Sequence, residues 1–373
     1  MTAHLEALDE VIAEVVAPNA AAVDADGTFP RAAIDALGRR HLLGLLSSTD
    51  VGGLGLGLAE AAQVVRRLAA TCGSTAMVVC MHYSAVAVIE VHGPEDVRRA
   101  VARGEHLSTL AFSETGSRSH FWAPLGTARA DGDDIVLDAT KSWVTSAGEA
   151  DSYVWTSQPV SAAAGASLWL VPADSAGLKV AAPFDGLGLR GNASSPVHAV
   201  DVHVPAAAAL GDDGGGLDIA LGVVLPVFQI LNASCSLGLM DAAIAATIDH
   251  VTTARLEHLD QTLADQPVVR QHVARMKDRA DAASTLVDDA VAALSSGRPD
   301  APLRMLQSKA VAGDAALDVL DVAMRVGGGA AFRKDIGVER HFRDARASVA
   351  MAPTLDALQD FIGRALCGLP LFG

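Results

Sequence analysis

Thr127-Ala-Arg-Ala130-Asp131-Gly132-Asp133-Asp134-Ile-Val-Leu137-Asp-Ala-Thr-Lys141-Ser142-Trp143-Val144-Thr145 lies in the middle third of a 373-residue chain and reads unlike what precedes it. Asp131-Gly132-Asp133 suits a tight hairpin turn, because Gly and Asp tolerate the left-handed backbone that two-residue loops require. The runs on either side, 127–130 and 134–137, and 141–145 beyond them, are short and rich in β-branched or aliphatic residues, which predicts strands. The same texture reaches outward to 107–112 on one side and to 152–156, 168–171, 178–181 and 197–204 on the other, closing at Pro205. These runs predict a β domain over residues 107–210.

Helical periodicity flanks it on both sides. Ahead lie 4–17, then 31–40 opened by Pro30 with Ile34, Leu37 and Leu42 on one face, then 58–71, 75–90 and 95–103. Behind, the glycine-rich loop Gly211-Asp-Asp-Gly-Gly-Gly216 marks a second boundary, after which 217–256, 266–296, 301–326 and 354–366 predict a four-helix bundle. The expected fold is α+β: an N-terminal helical domain (1–106), a middle antiparallel β domain (107–210) and a C-terminal four-helix bundle (211–373).

Composition narrows the function. Half the residues are hydrophobic and 19% are charged, which is the balance of a folded chain with a large core. A formal net charge of -16 opposes binding to nucleic acid or to an anionic bilayer. The four cysteines, Cys72, Cys80, Cys235 and Cys367, show no metal or disulfide spacing, and the acidic start Met1-Thr-Ala-His-Leu-Glu is not a secretory leader, so a reducing, cytoplasmic setting is expected. The apolar run 73–90 carries Ser74, Thr75, His82 and Tyr83, which fits a buried helix better than a membrane span. Gly52-Gly53-Leu-Gly55-Leu-Gly57 has neither a strand leading into it nor dinucleotide-loop spacing, and reads as a turn between helices. No HExxH, GxSxG or paired Cys/His spacing is present, so no metal is expected.

Several motifs carry chemistry. Ala111-Phe112-Ser113-Glu114-Thr115-Gly116-Ser117-Arg118-Ser119 ends the first strand, which includes Leu110. Lys141-Ser142-Trp143-Val144-Thr145-Ser146-Ala147 places an indole, a suitable wall for a planar ring, beside a hydroxyl. Gly186-Leu-Gly188-Leu-Arg190-Gly191 and Val200-Asp-Val-His-Val204-Pro205 close the β region. Arg255-Leu-Glu-His258-Leu259 is followed by Gln266, eleven residues after the arginine, and Arg325-Val-Gly-Gly328-Gly329 precedes Arg340, Arg343 and Asp344. Met351-Ala352-Pro353-Thr354-Leu-Asp356 comes last.

In their order and spacing these segments resemble the acyl-CoA dehydrogenase superfamily, whose members use FAD. The resemblance implies that Leu110, Phe112, Ser113, Trp143 and Thr145 bound the flavin ring, with the Thr145 hydroxyl facing the hydride-accepting N5. Ser119 falls where the family contacts both the cofactor and the pantetheine end of the thioester. Thr115 and Arg118 depart from the family's Pro and Gly. Arg255, His258 and Gln266 match residues that reach the FAD pyrophosphate and adenosine of a neighbouring subunit, with His258 and Leu259 replacing Phe and Gly. Arg325, Gly328 and Gly329 match a second phosphate or adenine contact, Arg325 standing for Gln. Thr354 and Asp356 complete the FAD set, and Arg340, Arg343 and Asp344 are scaffold. A homo-oligomer, in particular a tetramer, follows from the shared site. The electron acceptor is not specified by any motif.

The family's usual general base falls at Ala352, a methyl, and its alternative position on the first bundle helix falls at Phe228-Gln229. In the family a main-chain N–H at this position donates to the thioester carbonyl, so the resemblance implies the same part for the Ala352 N–H whatever its side chain. The resemblance also places Phe228, Gln229 and Met351 on the substrate side. Three functions are compatible with this pattern. One is α,β-oxidation of an acyl thioester on CoA or a carrier protein. Another is a flavin-dependent monooxygenase, with His82, His120 or His258 handling protons on some other small organic substrate. The third is a non-catalytic FAD-binding partner subunit. His82, on an otherwise apolar helix, reads first as a hydrogen-bonded core histidine.

Overall fold

A computed structural model describes residues 2–117 and 120–372. The chain forms two compact units: Met1–Val64, Ser74–Gly186 and Arg190–Phe228 make the first, and Val65–Gly73, Leu187–Leu189 and Gln229–Gly373 the second.

The first unit begins with α1 (Ala3–Val11), a π-helical turn (Ile12–Val16) and α2 (Ala17–Asp26). The helix expected to stop at residue 17 continues to Asp26. Pro18 would clash with the carbonyl four residues back in a regular helix, and the widened turn just before it takes up that clash. α3 (Arg31–Arg39) buries Ile34 and Leu37 and packs on α1. Leu42 is buried too, but lies beyond the helix end. Residues 49–51 form a short 3-10 turn leading into the glycine loop, as its composition predicts. α4 (Leu58–Ala69) leads to α5 (Gly73–His92) and α6 (Glu95–Ala102).

Seven strands follow: β1 (Ser108–Ala111), β2 (Thr127–Asp131), β3 (Asp134–Val144), β4 (Ser152–Ser157), β5 (Ser167–Pro172), β6 (Leu178–Val180) and β7 (Ser195–Pro205). They form two sheets, in the orders β1-β4-β5 and β2-β3-β7-β6. The 131–133 turn is a hairpin, with Asp131 opposite Asp134 and Gly132 at φ 62°. Two expectations change. The runs 134–137 and 141–145 are one strand, β3, whose pairing with β7 slips between Leu137 and Ala139 and again between Lys141 and Val144. β1 pairs with β4 in parallel, an exception in an otherwise antiparallel domain.

The second unit is helical. After α7 (Gly216–Ile219) and a second π turn (Ala220–Val224), α8 (Leu225–Thr253) enters it, joined by α9 (Pro267–Ser296), α10 (Ala301–Gly327), α11 (Val338–Ala345), α12 (Ala347–Ala350) and α13 (Leu355–Leu366). α10 packs against α9, α11 and α13 and is buried on more than one side, with Ala310, Ala312, Ala315 and Ala316 among its buried residues. Gly238 on α8 lets the helix approach the end of α4, since a Cβ there would lie 2.1 Å from the Arg66 carbonyl. Arg66 then bonds Asp241 at 2.7 Å and Ser284 at 2.8 Å, tying α4 to α8 and α9. The expected helix 217–256 stops at Thr253. Arg255–Leu256 (β8) and Gln261–Thr262 (β9) form a small hairpin instead. α11 escapes helical periodicity because its buried face includes His341 and Asp344, polar residues at core positions.

Gly73–His92 and Gly216–Thr253 are long and apolar enough to cross a membrane by length and composition. However, 83% and 67% of their apolar windows lie buried inside the fold, as expected for the first of them.

Candidate active site

In the first unit the ends of β1 and β3 are stitched together. The Ser142 N–H donates to the Ser113 carbonyl at 2.9 Å and the Thr115 N–H to the Thr140 carbonyl at 3.1 Å. Beneath them lies an ion pair that the sequence reading did not single out. Lys141, fully buried, donates to Glu114 at 2.7 Å, to the Thr156 carbonyl at 2.7 Å and to the Thr156 hydroxyl at 2.8 Å, with its ammonium 5.0 Å from the centre of the Trp155 ring. Glu114 also accepts from the N–H groups of Leu125 and Gly126. Burial pushes the Lys141 ammonium down to about 8, against the opposing pull of Glu114. Three donors and a saturated carboxylate offset the desolvation of both charges, and so fix the two motif segments in register.

That register explains Trp143. It sits where β3 slips against β7, at φ 55°, and the bulge turns the indole outward to 71% exposure, with Phe184 edge-on at 6.2 Å. A large aromatic held exposed by a left-handed backbone is not core packing. Thr145, two residues on, is buried and shares a hydrogen bond with Ser194 at 3.1 Å. Next to it, the buried Ser146 hydroxyl has no hydrogen-bond partner among the described residues. Ser113 and Phe112 are half-buried, whereas Leu110 is a buried strand residue opposite Val154. Ser119 lies outside the described residues.

In the second unit a different buried lysine organises the C-terminal motif. Lys309 on α10 donates to the Met351 carbonyl at 2.7 Å and to the Pro353 carbonyl at 2.5 Å, so both neighbours of Ala352 are pinned. The Ala352 N–H has no hydrogen-bond partner among the described residues. Thr354 caps α13 by accepting from the Ala357 N–H at 3.3 Å, which leaves its own hydroxyl hydrogen to donate elsewhere. Asp356 is exposed in the first turn of that helix. On α8, Phe228 is buried, and Asn232 donates to the Met351 sulfur at 3.5 Å. Gln229 and Asn232 are 0% and 1% exposed. The scaffold reading of the preceding arginines holds. Arg340 reaches the Thr71 carbonyl, Arg343 the Leu187 carbonyl and Glu339, and Asp344 the Leu189 N–H at 2.6 Å.

The residues expected to meet phosphate are surface features. Arg255 is paired with Asp260 across the β8–β9 hairpin and His258 is exposed at its turn. Gln266 bonds Gln261 at 2.9 Å. Arg325 is exposed, with no ion-pair partner among the described residues. Gly328 ends α10 at φ 52°, and a Cβ on it or on Gly329 would meet nothing within 4 Å, so the backbone there is open to an approaching group. These exposed groups of the second unit suit phosphate oxygens in charge and in open backbone.

The histidines do not supply a proton relay at His82. Its Nδ1 accepts from the Ser108 N–H at 3.1 Å, which puts the ring hydrogen on Nε2, 3.1 Å from the Leu43 carbonyl that accepts it. Burial drives its pKa down to about 4, so it is a neutral core residue fastening α5, as its first reading suggested. His120 is exposed and holds the Ser117 carbonyl at 2.7 Å. Among the described residues no group of three or more His, Cys, Asp or Glu side chains is placed to hold a metal ion.

Comparison with known proteins agrees with the motifs. Residues 2–104, 109–202 and 214–367 match the models of the acyl-CoA dehydrogenase N-terminal, middle and C-terminal domains. The chain is 29% identical over 336 residues to human mitochondrial short-chain specific acyl-CoA dehydrogenase, covering 88% of this chain and 81% of that protein. It is 26% identical over 360 residues to a probable acyl-CoA dehydrogenase of Mycobacterium tuberculosis, covering 94% and 91%. Among solved structures, butyryl-CoA dehydrogenase from Megasphaera elsdenii superposes with a TM-score of 0.92 at 22% identity, over 98% of this chain and 99% of that one.

Proposed function

The chain belongs to the acyl-CoA dehydrogenase family of flavin-dependent oxidoreductases, and we propose that it oxidises an acyl thioester at the α,β position with FAD, in a site whose usual carboxylate base is replaced by Ala352. FAD, when bound, supplies the two-electron acceptor. The observation that carries the reading is the anchoring of Met351 and Pro353 by Lys309. It holds the unpartnered Ala352 N–H in a fixed main chain, ready to donate to a thioester carbonyl and to acidify the α-carbon, although the side chain is a methyl.

The other residues take supporting parts. Trp143 offers the ring wall and Ser113 its polar edge. Thr145 places a hydroxyl whose orientation is set by Ser194, and Thr354 donates from the start of α13. Arg255, His258, Gln266, Arg325, Gly328 and Gly329 receive the phosphates and adenosine. The exposure of Arg255, His258 and Arg325 on their own chain supports a homotetramer in which a neighbouring subunit shares them. The domains are 1–106, 107–210 and 211–373, and four free thiols suit a cytoplasmic setting.

With a methyl at Ala352, the α-proton passes to solvent water, a transfer that the substrate's own acidity must make easy. This selects thioesters on CoA or a carrier protein whose α-hydrogens are already labile. The test is direct: the purified protein carries flavin absorbance, and anaerobic mixing with a panel of acyl thioesters bleaches it. A preparation that cannot be loaded with FAD contradicts the reading. So does a loaded protein that no thioester bleaches but that oxygenates a small molecule when reduced flavin and O₂ are supplied.

A further inference from the structure

Gln229 and Asn232 occupy positions i and i+3 of α8, one turn apart on the same face. Both side chains are buried, at 0% and 1% exposure. Yet the Gln229 amide nitrogen and oxygen and the Asn232 oxygen have no hydrogen-bond partner among the described residues. Two buried amides left this way are costly to a fold and mark a place where something polar belongs. Asn232 also says where that place is. Its nitrogen makes only a weak contact, 3.5 Å to the Met351 sulfur, in the residue directly before Ala352.

We propose that Gln229 and Asn232 select the acyl group, and that the substrate is a short acyl thioester whose chain ends in a neutral group able both to donate and to accept a hydrogen bond, a hydroxyl or a primary carboxamide. The inference rests on the thioester reading, which places the carbonyl at Ala352 and therefore the acyl chain beside Met351. The open atoms are two acceptors and one donor. An alkyl chain satisfies none of them, a carboxylate brings only acceptors, and an ammonium only donors. A hydroxyl or carboxamide matches both kinds, whichever way either amide is flipped. Sites built to hydrogen-bond a substrate group reject the analogue lacking it strongly, because their own polar atoms are then stranded.

The experiment is isothermal titration of the FAD-loaded protein with three CoA thioesters of similar length: butyryl, 3-hydroxybutyryl and succinamyl. The polar pair is expected to bind about 10-fold or more tighter than butyryl-CoA. In Gln229→Leu and Asn232→Leu that preference collapses or reverses, while butyryl-CoA binds as well or better. Equal or tighter binding of butyryl-CoA by the wild type overturns the inference and leaves the thioester reading standing. So does an unchanged preference in both variants, which would be the behaviour of amides served only by buried water. If no thioester of any kind binds, the thioester reading itself fails and takes this inference with it.

Discussion

The buried ammonium of Lys309 donates to the main-chain carbonyl of Met351 at 2.7 Å, and through a second bond, to Pro353, it holds the chain on both sides of Ala352. A charged side chain is here used to shape backbone. Hydrogen bonds to a charged group contribute about 1.5–3 kcal/mol each, and removing the donor strands two carbonyls. Lys309→Met is therefore expected to lower stability by about 3 kcal/mol in urea denaturation, and to weaken thioester binding more than flavin binding. Loss of flavin with retained thioester affinity would show that Lys309 serves the cofactor instead.

The Lys141–Glu114 pair makes a parallel prediction in the β domain. Breaking one member of a buried pair leaves an uncompensated charge and costs about 3–5 kcal/mol. Lys141→Met is expected to show that loss, whereas the double change Lys141→Met with Glu114→Leu recovers part of it. Flavin content should fall in the single variant, because the pair sets the register that turns Trp143 outward.

His82 gives a pH dependence. Its pKa is about 4 in the fold, against about 6.5 in the unfolded chain, so between those values the unfolded chain binds more protons. The stability it contributes is present above pH ~6.5 and is lost as pH falls toward ~4, a span worth about 3 kcal/mol. Urea midpoints at pH 7 and pH 5 measure it. His82→Gln should flatten the slope, and a slope unchanged in that variant assigns it to other groups.

Gln229→Leu should raise the melting temperature of the ligand-free protein, because it removes two stranded polar atoms from a buried site. Differential scanning calorimetry decides the matter. A large fall in melting temperature would mean the amide is satisfied in solution and is part of the core.

Much of this was legible in the chain itself. The hairpin at Asp131-Gly132-Asp133 and the long bundle helices follow from turn chemistry and periodicity, which are local properties. What escaped is non-local. α11 buries His341 and Asp344, so its core face looks polar on paper. Pro18 reads as a helix end, because a π turn that absorbs it has no simple sequence signature. Lys309 has no motif of its own and matters only because α10 passes beneath residues 351–353. Asn232 is one more polar residue on an apolar helix until Met351 is seen against it. Glu114 and Lys141 stood inside quoted motifs, but their separation of 27 residues hid the pairing.

The central claim is that the site is intact for thioester oxidation except for its base. Stopped-flow anaerobic bleaching of FAD-loaded wild type and Ala352→Glu by the same acyl-CoA tests it most directly. General-base catalysis contributes about 10²- to 10⁴-fold, so the glutamate variant should bleach at least ~10²-fold faster, with the gain appearing as pH rises through the new carboxyl's titration. An Ala352→Glu protein that keeps its flavin and binds the thioester, yet bleaches no faster than wild type, would contradict the account.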